Sequence, residues 1–263
     1  MITAVRAGVG ILGVLGGSVF WRGVFLGGVL LAASGGKPAW AASFPCAKAA
    51  TATEKAICQN PELSELDSEM GAAWKKALDF FRGQEASDDS GTAPLRQDQK
   101  AWLGRRNACG GNPECLRTLY HQRLAALVPI PSASPISPVE VYVGRFSNKG
   151  LVDLVVLMLE DGRLLVGLSG AEPERGRWVC NFSGMGTLQT GQQAGPELKV
   201  RDFFDDKNVA PVFLSRTRDG MKVEERGEDT SGVSYWCGRG GSLNGHYTRV
   251  SPTALPAAKS PRS

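Results

Sequence analysis

The chain has 263 residues, 42% of them hydrophobic, and a formal net charge of +4. That length and apolar share supply cores for one large domain or two ordinary ones. Residues 1–42 hold Arg6, Arg22 and Lys37 and no acid; the remainder is close to neutral and carries no basic stripe, so nucleic acid is not an expected partner.

Residues 1–42 read as an export signal. Arg6 and Arg22 precede an apolar run over 23–33, a Gly36-Lys37-Pro38 break follows, and Ala39-Trp40-Ala41 sets small residues at the cleavage-defining positions. Cleavage after Ala41 or Ala42 would leave a periplasmic or secreted chain with no membrane attachment. Cys46 follows Ser43-Phe44-Pro45, not the apolar-small-small run of a lipid-modified cysteine. All six cysteines, Cys46, Cys58, Cys109, Cys115, Cys180 and Cys237, lie after the signal. An even number in an exported chain reads as three disulfides. No C-x-x-C occurs and the histidines are His121 and His246, so neither a metal nor another cofactor is expected.

Residues 43–128 read as a helical domain. Thr51-x-x-Glu54 spells a capping box and starts a short helix ending near Cys58. Asn60-Pro61 starts a second helix, with Asn as N-cap and Pro at the first helical position. Leu63, Leu66, Met70, Ala73, Trp74, Ala77, Leu78 and Phe81 give it one apolar face, ending near Arg82. Residues 84–92 form an acidic loop whose Asp88-Asp89 pair lacks the ligand spacing of a calcium loop. A third helix runs from about Pro94 to Ala108, and Asn112-Pro113 starts a fourth with Leu116, Leu119, Tyr120, Leu124 and Leu127 inside. Helices two and three are expected to be antiparallel neighbours, which gathers Cys46, Cys58, Cys109 and Cys115 at one pole. Local pairing, Cys46 with Cys58 and Cys109 with Cys115, is the simplest; all three pairings of four cysteines stay open.

Residues 129–138 hold four prolines and read as an extended linker. Beyond them the period changes to two. Val139, Val141 and Val143 alternate with Glu140, Tyr142 and Gly144, as in a strand. Apolar runs over 151–159 and 164–168 flank Asp161-Gly162, a hairpin signal. Further strands are expected at 177–183, 197–204, 211–217, 221–225, 233–237 and 243–250. Gly184-Met185-Gly186 and Gly238-Arg239-Gly240-Gly241 are read as turns between strands. Eight or nine short strands over 139–250 predict an antiparallel β-barrel or sandwich, with Cys180 and Cys237 paired across it. Residues 251–263 read as a disordered tail. The fold class is thus α+β, with a disulfide-stapled bundle of three or four helices before a β-domain.

The helical domain resembles the lysozyme inhibitor LprI-like N-terminal domain family. The resemblance rests on Cys46-Ala47-Lys48-Ala49, Glu54-Lys55-Ala56-Ile57-Cys58, Pro61-Glu62-Leu63, Leu66-Asp67, Gln99-Lys100-Ala101-Trp102-Leu103, Arg106-Asn107-x-Cys109, Cys115-Leu116 and Tyr120-x-x-Arg123-Leu124-x-x-Leu127. Trp74 stands where the family has Tyr. The resemblance implies an exported bacterial helical domain and, through the family's name, lysozyme as a partner. The β-domain, with Tyr235-Trp236-Cys237-Gly238 and Gly245-His246-Tyr247, is similar to regions that follow this helical domain and loosely to the small barrel of membrane-bound inhibitors of c-type lysozyme.

No catalytic constellation is legible. Glu54 and Asp67 read as a helix cap and a solvated or Arg-paired carboxylate before a glycosidase pair. Ser169 lacks the second glycine of a nucleophile elbow, where Ala171 stands. Trp102 reads first as core and second as an aromatic anchor for a partner. Arg105 and Arg106 suit a helix C-terminus and alternatively grip a phosphate or a partner's carboxylate. His246 beside Tyr247 reads first as a structural or exposed strand histidine and second as the lining of a pocket. Asp88-Asp89, Asp205-Asp206 and Glu224-Glu225 read first as solvated loops and second as acidic spots that steer a basic protein such as lysozyme. Trp102, Arg105, Arg106, His246 and Tyr247 are therefore the candidate partner-binding residues. The expectation is a non-enzymatic exported binding protein, a lysozyme inhibitor that blocks the cleft sterically. The alternative is a structural or stress-related envelope module with another protein partner.

Overall fold

Thr51 opens α1 (Ala52–Gln59) through a reciprocal cap. Its hydroxyl accepts the Glu54 amide at 3.1 Å, and the Glu54 carboxylate accepts the Thr51 amide at 2.9 Å. Asn60 and Asn112 perform the same task for α2 (Pro61–Arg82) and α4 (Pro113–Leu127), accepting amides of Leu63 and of Glu114 and Cys115. Between these lies α3 (Ala93–Ala108). The computed structural model describes residues 42–82, 91–128, 137–190, 195–203, 209–227 and 234–250. The residues read as an export signal up to 41, as a linker over 129–136 and as a tail from 251, together with Asp88-Asp89 and Asp205-Asp206, lie outside them.

The apolar face of α2 is buried from Leu63 through Phe81, together with Leu95, Trp102, Leu116, Tyr120 and Leu127. The second and third helices meet antiparallel through side chains: Arg106 reaches Asp67, and Gln99 reaches Met70. Cys46 is bonded to Cys58 and Cys109 to Cys115, each with a Cα–Cα distance of 5.7 Å. The Thr53 hydroxyl lies 2.9 Å from the Gly110 carbonyl, to which it donates, and 3.3 Å from that of Asn107. That contact ties the two disulfide loops together at one pole.

Eight strands follow: β1 (Gly144–Asn148), β2 (Val152–Met158), β3 (Leu164–Ala171), β4 (Val179–Gln189), β5 (Glu197–Asp202), β6 (Val212–Arg216), β7 (Gly220–Glu225) and β8 (Gly245–Arg249). Each pairs antiparallel with the next, and β8 returns to β1 through Phe146↔Arg249. The sheet is a closed barrel and not a sandwich. Closure removes the exposed edges that an open sheet would have to protect. The inward residues, among them Phe146, Leu154, Val166, Phe182, Val200, Leu214, Val223 and Tyr247, are buried and fill the interior.

The near-continuous apolar runs of β2 and β3 have a direct cause. Val152, Leu154 and Val156 face into the barrel, while Val155 and Leu157 face out and join the core of the helices with Leu159 and Leu165. Helices and barrel therefore share one apolar core within a single compact unit. Gly167 marks the closest approach: a Cβ there would stand 2.7 Å from the Phe81 ring and 2.8 Å from that of Phe80.

Three strand-level expectations change. Residues 139–143 are not a strand. Glu140–Tyr142 is a 3-10 turn, and Tyr142 is buried because its ring plugs the barrel while its hydroxyl donates to the Pro196 carbonyl at 2.8 Å. The alternation of valines reflected a covered barrel end and not a pleat. Gly184-Met185-Gly186 is no turn but the middle of β4, paired with β3 and β5; the Arg201 carbonyl packs where a Gly184 Cβ would stand. Within 234–237 the sole ladder contact among the described residues is the isolated bridge Cys180↔Cys237, so that segment is a loop pinned by a disulfide.

Candidate binding surface

The residues that carry the family resemblance turn out to be scaffold. Asp67 is wholly buried on α2, where Tyr120 donates to its Oδ1 at 2.6 Å and the Ser43 amide and hydroxyl donate to Oδ2 at 2.7 and 2.5 Å. Arg106 lies 3.4 Å from the same carboxylate. Burial first, and the Asp67 charge second, raises the Tyr120 pKa, so the phenol stays a donor. Trp102 is fully buried, packs edge-on against Tyr120 at 5.4 Å and donates to the Leu119 carbonyl. Trp102 and Arg106 are thereby removed from any partner-facing surface. Their burial, which the helical spacing of Trp102 already suggested, is the reason.

The other candidates separate. Tyr247 is buried inside the barrel, donates to the Leu243 carbonyl at 2.8 Å, and has its pKa raised mainly by that burial; it does not line a surface. Arg105 is exposed and paired with Glu160 at the β2–β3 turn. His246 is exposed, with Nε2 at 2.9 Å from the Thr217 hydroxyl and 3.1 Å from Asp219. Both partners meet the same nitrogen, so the trio lacks the relay of a catalytic triad, in which base and orienter use opposite ring nitrogens. Glu224 is engaged by Arg226 and Lys222, which hold its carboxyl below its ordinary range. Ser169 is buried within β3. Among the described residues, no group of three or more His, Cys, Asp or Glu side chains converges on a metal position, and no cysteine is free.

The surface feature that sequence reasoning passed over is an aromatic knuckle at one barrel end. Cys237 is bonded to Cys180 on β4, with a Cα–Cα distance of 4.1 Å. The Asn181 amide donates to the Trp236 carbonyl at 3.0 Å, and the Gly238 amide donates to Val179 at 2.9 Å. Trp236 packs edge-on against Phe182 at 4.9 Å, and Tyr235 against Trp236 at 5.0 Å. Tyr235 itself is 66% exposed, the large apolar side chain most open to solvent among the described residues. Beside it, Glu172 accepts the amides of Arg175 and Arg177, which fixes the β3–β4 connection and lowers the Glu172 pKa. Arg177 and Arg239 are exposed, and the residues next to them in sequence, Trp178 and Gly238, lie against each other. A projecting aromatic on a cross-linked, hydrogen-bonded loop suits partner binding, because little side-chain and loop entropy is left to lose. The sequence signal was Tyr235-Trp236 before a cysteine; its exposure is set by tertiary structure alone.

Residues 46–127 match the family model described as Lysozyme inhibitor LprI. That span holds all four helices and both local disulfides. The chain is also similar to proteins called Lipoprotein LprI from Mycobacterium bovis and Mycobacterium tuberculosis, at 26% identity over 132 residues. The aligned part is 46% of this chain and 62% of each relative, so it spans less than two thirds of their length. No solved structure matches the chain.

Proposed function

We propose that this is an exported, non-enzymatic binding protein that inhibits lysozyme by seating a rigid loop in the enzyme's cleft, with no chemistry on the substrate. The observation that carries the reading is the match of residues 46–127 to the lysozyme inhibitor family. The Tyr235 knuckle supports it as a pre-organised loop of the kind that steric blocking requires. Three disulfides with no free cysteine among the described residues suit an oxidising compartment, periplasmic or extracellular. No helix among the described residues is long and apolar enough to cross a membrane.

The test mixes purified mature protein with c-type lysozyme and follows lysis of a cell-wall suspension. Lysis should slow in proportion to added protein and level off near equimolar amounts. Undiminished lysis at a large molar excess would overturn the reading for that enzyme.

A further inference from the structure

The barrel end opposite the knuckle carries an unexplained pair of charges. Side chains alternate across a strand, and Val212 and Leu214 of β6 point into the barrel; Arg216 continues that inward row and pairs with buried Met221. Tyr247 of β8 points inward as well, and Arg249 continues its row opposite buried Phe146. Two arginines thus occupy inward register at the mouth of an apolar barrel, where both are exposed to solvent. Arg249 lies over the Phe146 ring at 4.6 Å and donates to the Val143 carbonyl at 3.2 Å. Arg216 lines a recess of about 360 Å³ with Pro138, Val141, Tyr142 and Pro196.

Neither arginine meets a carboxylate among the described residues. Two acids of this barrel end are engaged elsewhere: Glu197 by Arg226 at 2.5 Å and Asp219 by His246 at 3.1 Å. Burial, and then the charge of Arg216, lowers the Arg249 pKa, as two like charges at one barrel mouth should. Guanidinium forks are the protein groups best matched to oxyanions, through paired N–H donors. We propose that this recess is a binding site for a compact oxyanion, a carboxylate or a phosphate, held by Arg216 of its wall and reached by Arg249 from the same barrel mouth, with any apolar body of the ligand against Val141 and Pro196.

The experiment titrates the mature protein by calorimetry with sodium butyrate, inorganic phosphate, sodium chloride at matched ionic strength, and neutral butyramide. Saturable binding of butyrate or phosphate is expected, with neither chloride nor butyramide reproducing it. Butyrate alone would identify a carboxylate site, and phosphate alone a phosphate site. Arg216→Ala should weaken binding about tenfold or more, the loss of charge-assisted hydrogen bonds. Arg216 makes no hydrogen bond to another described side chain and repels Arg249, so the unliganded variant should unfold at or above the wild-type temperature. Arg249→Lys, which keeps the charge and loses the fork, should weaken binding while leaving the fold in place; Arg239→Ala at the far end should change nothing. No saturable binding well into the millimolar range, an equal response to chloride, or wild-type affinity in Arg216→Ala would each overturn the site.

Discussion

Asp98 of α3 accepts the backbone amide of Glu160, at the β2–β3 turn, at 2.8 Å. Its other oxygen accepts from buried Arg123 of α4 at 2.5 Å, and Arg123 also donates twice to Gln99. One carboxylate thereby joins two helices and the barrel. Above it the exposed Arg105 pairs with Glu160, while the shared core of Phe80, Phe81, Val155 and Leu157 lies beside it. Removing one partner of a buried pair strands the other charge, at a cost of about 3–5 kcal/mol. Asp98→Ala should lose about that much in urea unfolding, and helical and aromatic circular dichroism should report one transition in the wild type. A loss below about 1 kcal/mol, the level of a surface pair, or two separate wild-type transitions would show that the clasp does not couple the parts.

The disulfide pole gives a second prediction. The bonded cysteines are separated by 12 and 6 residues. Closing loops of that size restricts the unfolded chain by about 2–3 kcal/mol each in the chain-entropy account. The module they staple has a modest core, so Cys46→Ser with Cys58→Ser should lower the unfolding temperature, and full reduction should collapse the helical signal. Unchanged thermal stability after reduction would sink the staple argument.

The local signals were the most legible in the sequence. Thr51-x-x-Glu54, the two Asn-Pro starts and Asp161-Gly162 each encode their conformation within four residues, and each is found where it was read. The apolar runs of β2 and β3 revealed burial on both faces but not that helices supply the outer cover. Gly184 and Gly186 were misread because glycine marks a turn and a close backbone approach with the same letter. At the candidate site, the burial of Trp102 followed from spacing, whereas the inward register of Arg216 and Arg249 and the exposure of Tyr235 depend on barrel closure, a contact between the first strand and the last.

Glu54 makes stability depend on pH. Its carboxylate accepts the amides of Thr51 and Ala50, and these bonds, Thr51 first, lower its pKa from the ordinary 4.5. A carboxyl whose folded pKa is depressed contributes stability that is fully present above its unfolded value and is lost as pH falls through the folded one. The thermal midpoint of wild type should therefore exceed that of Glu54→Ala at neutral pH, and the gap should narrow once pH drops below about 4.5. A gap that is constant from neutral pH to acid would mean that the ionised cap contributes nothing.

Tyr235 gives the prediction that bears most directly on function. It is exposed, so removing it leaves the barrel core intact, and its contact with Trp236 is an edge contact worth about 0.5–1.5 kcal/mol. As a central aromatic anchor it would contribute about 2 kcal/mol or more to binding, which corresponds to roughly a 30-fold loss of affinity. If the knuckle enters the lysozyme cleft, Tyr235→Ala should raise the concentration needed for half-inhibition by about that factor, with little change in unfolding temperature. Tyr235→Phe, which keeps the ring, should retain most of the inhibition. His246→Ala, on a different barrel face, should inhibit as wild type does. Inhibition by wild type that survives Tyr235→Ala undiminished would move the binding surface away from the knuckle and toward the exposed faces of the helices.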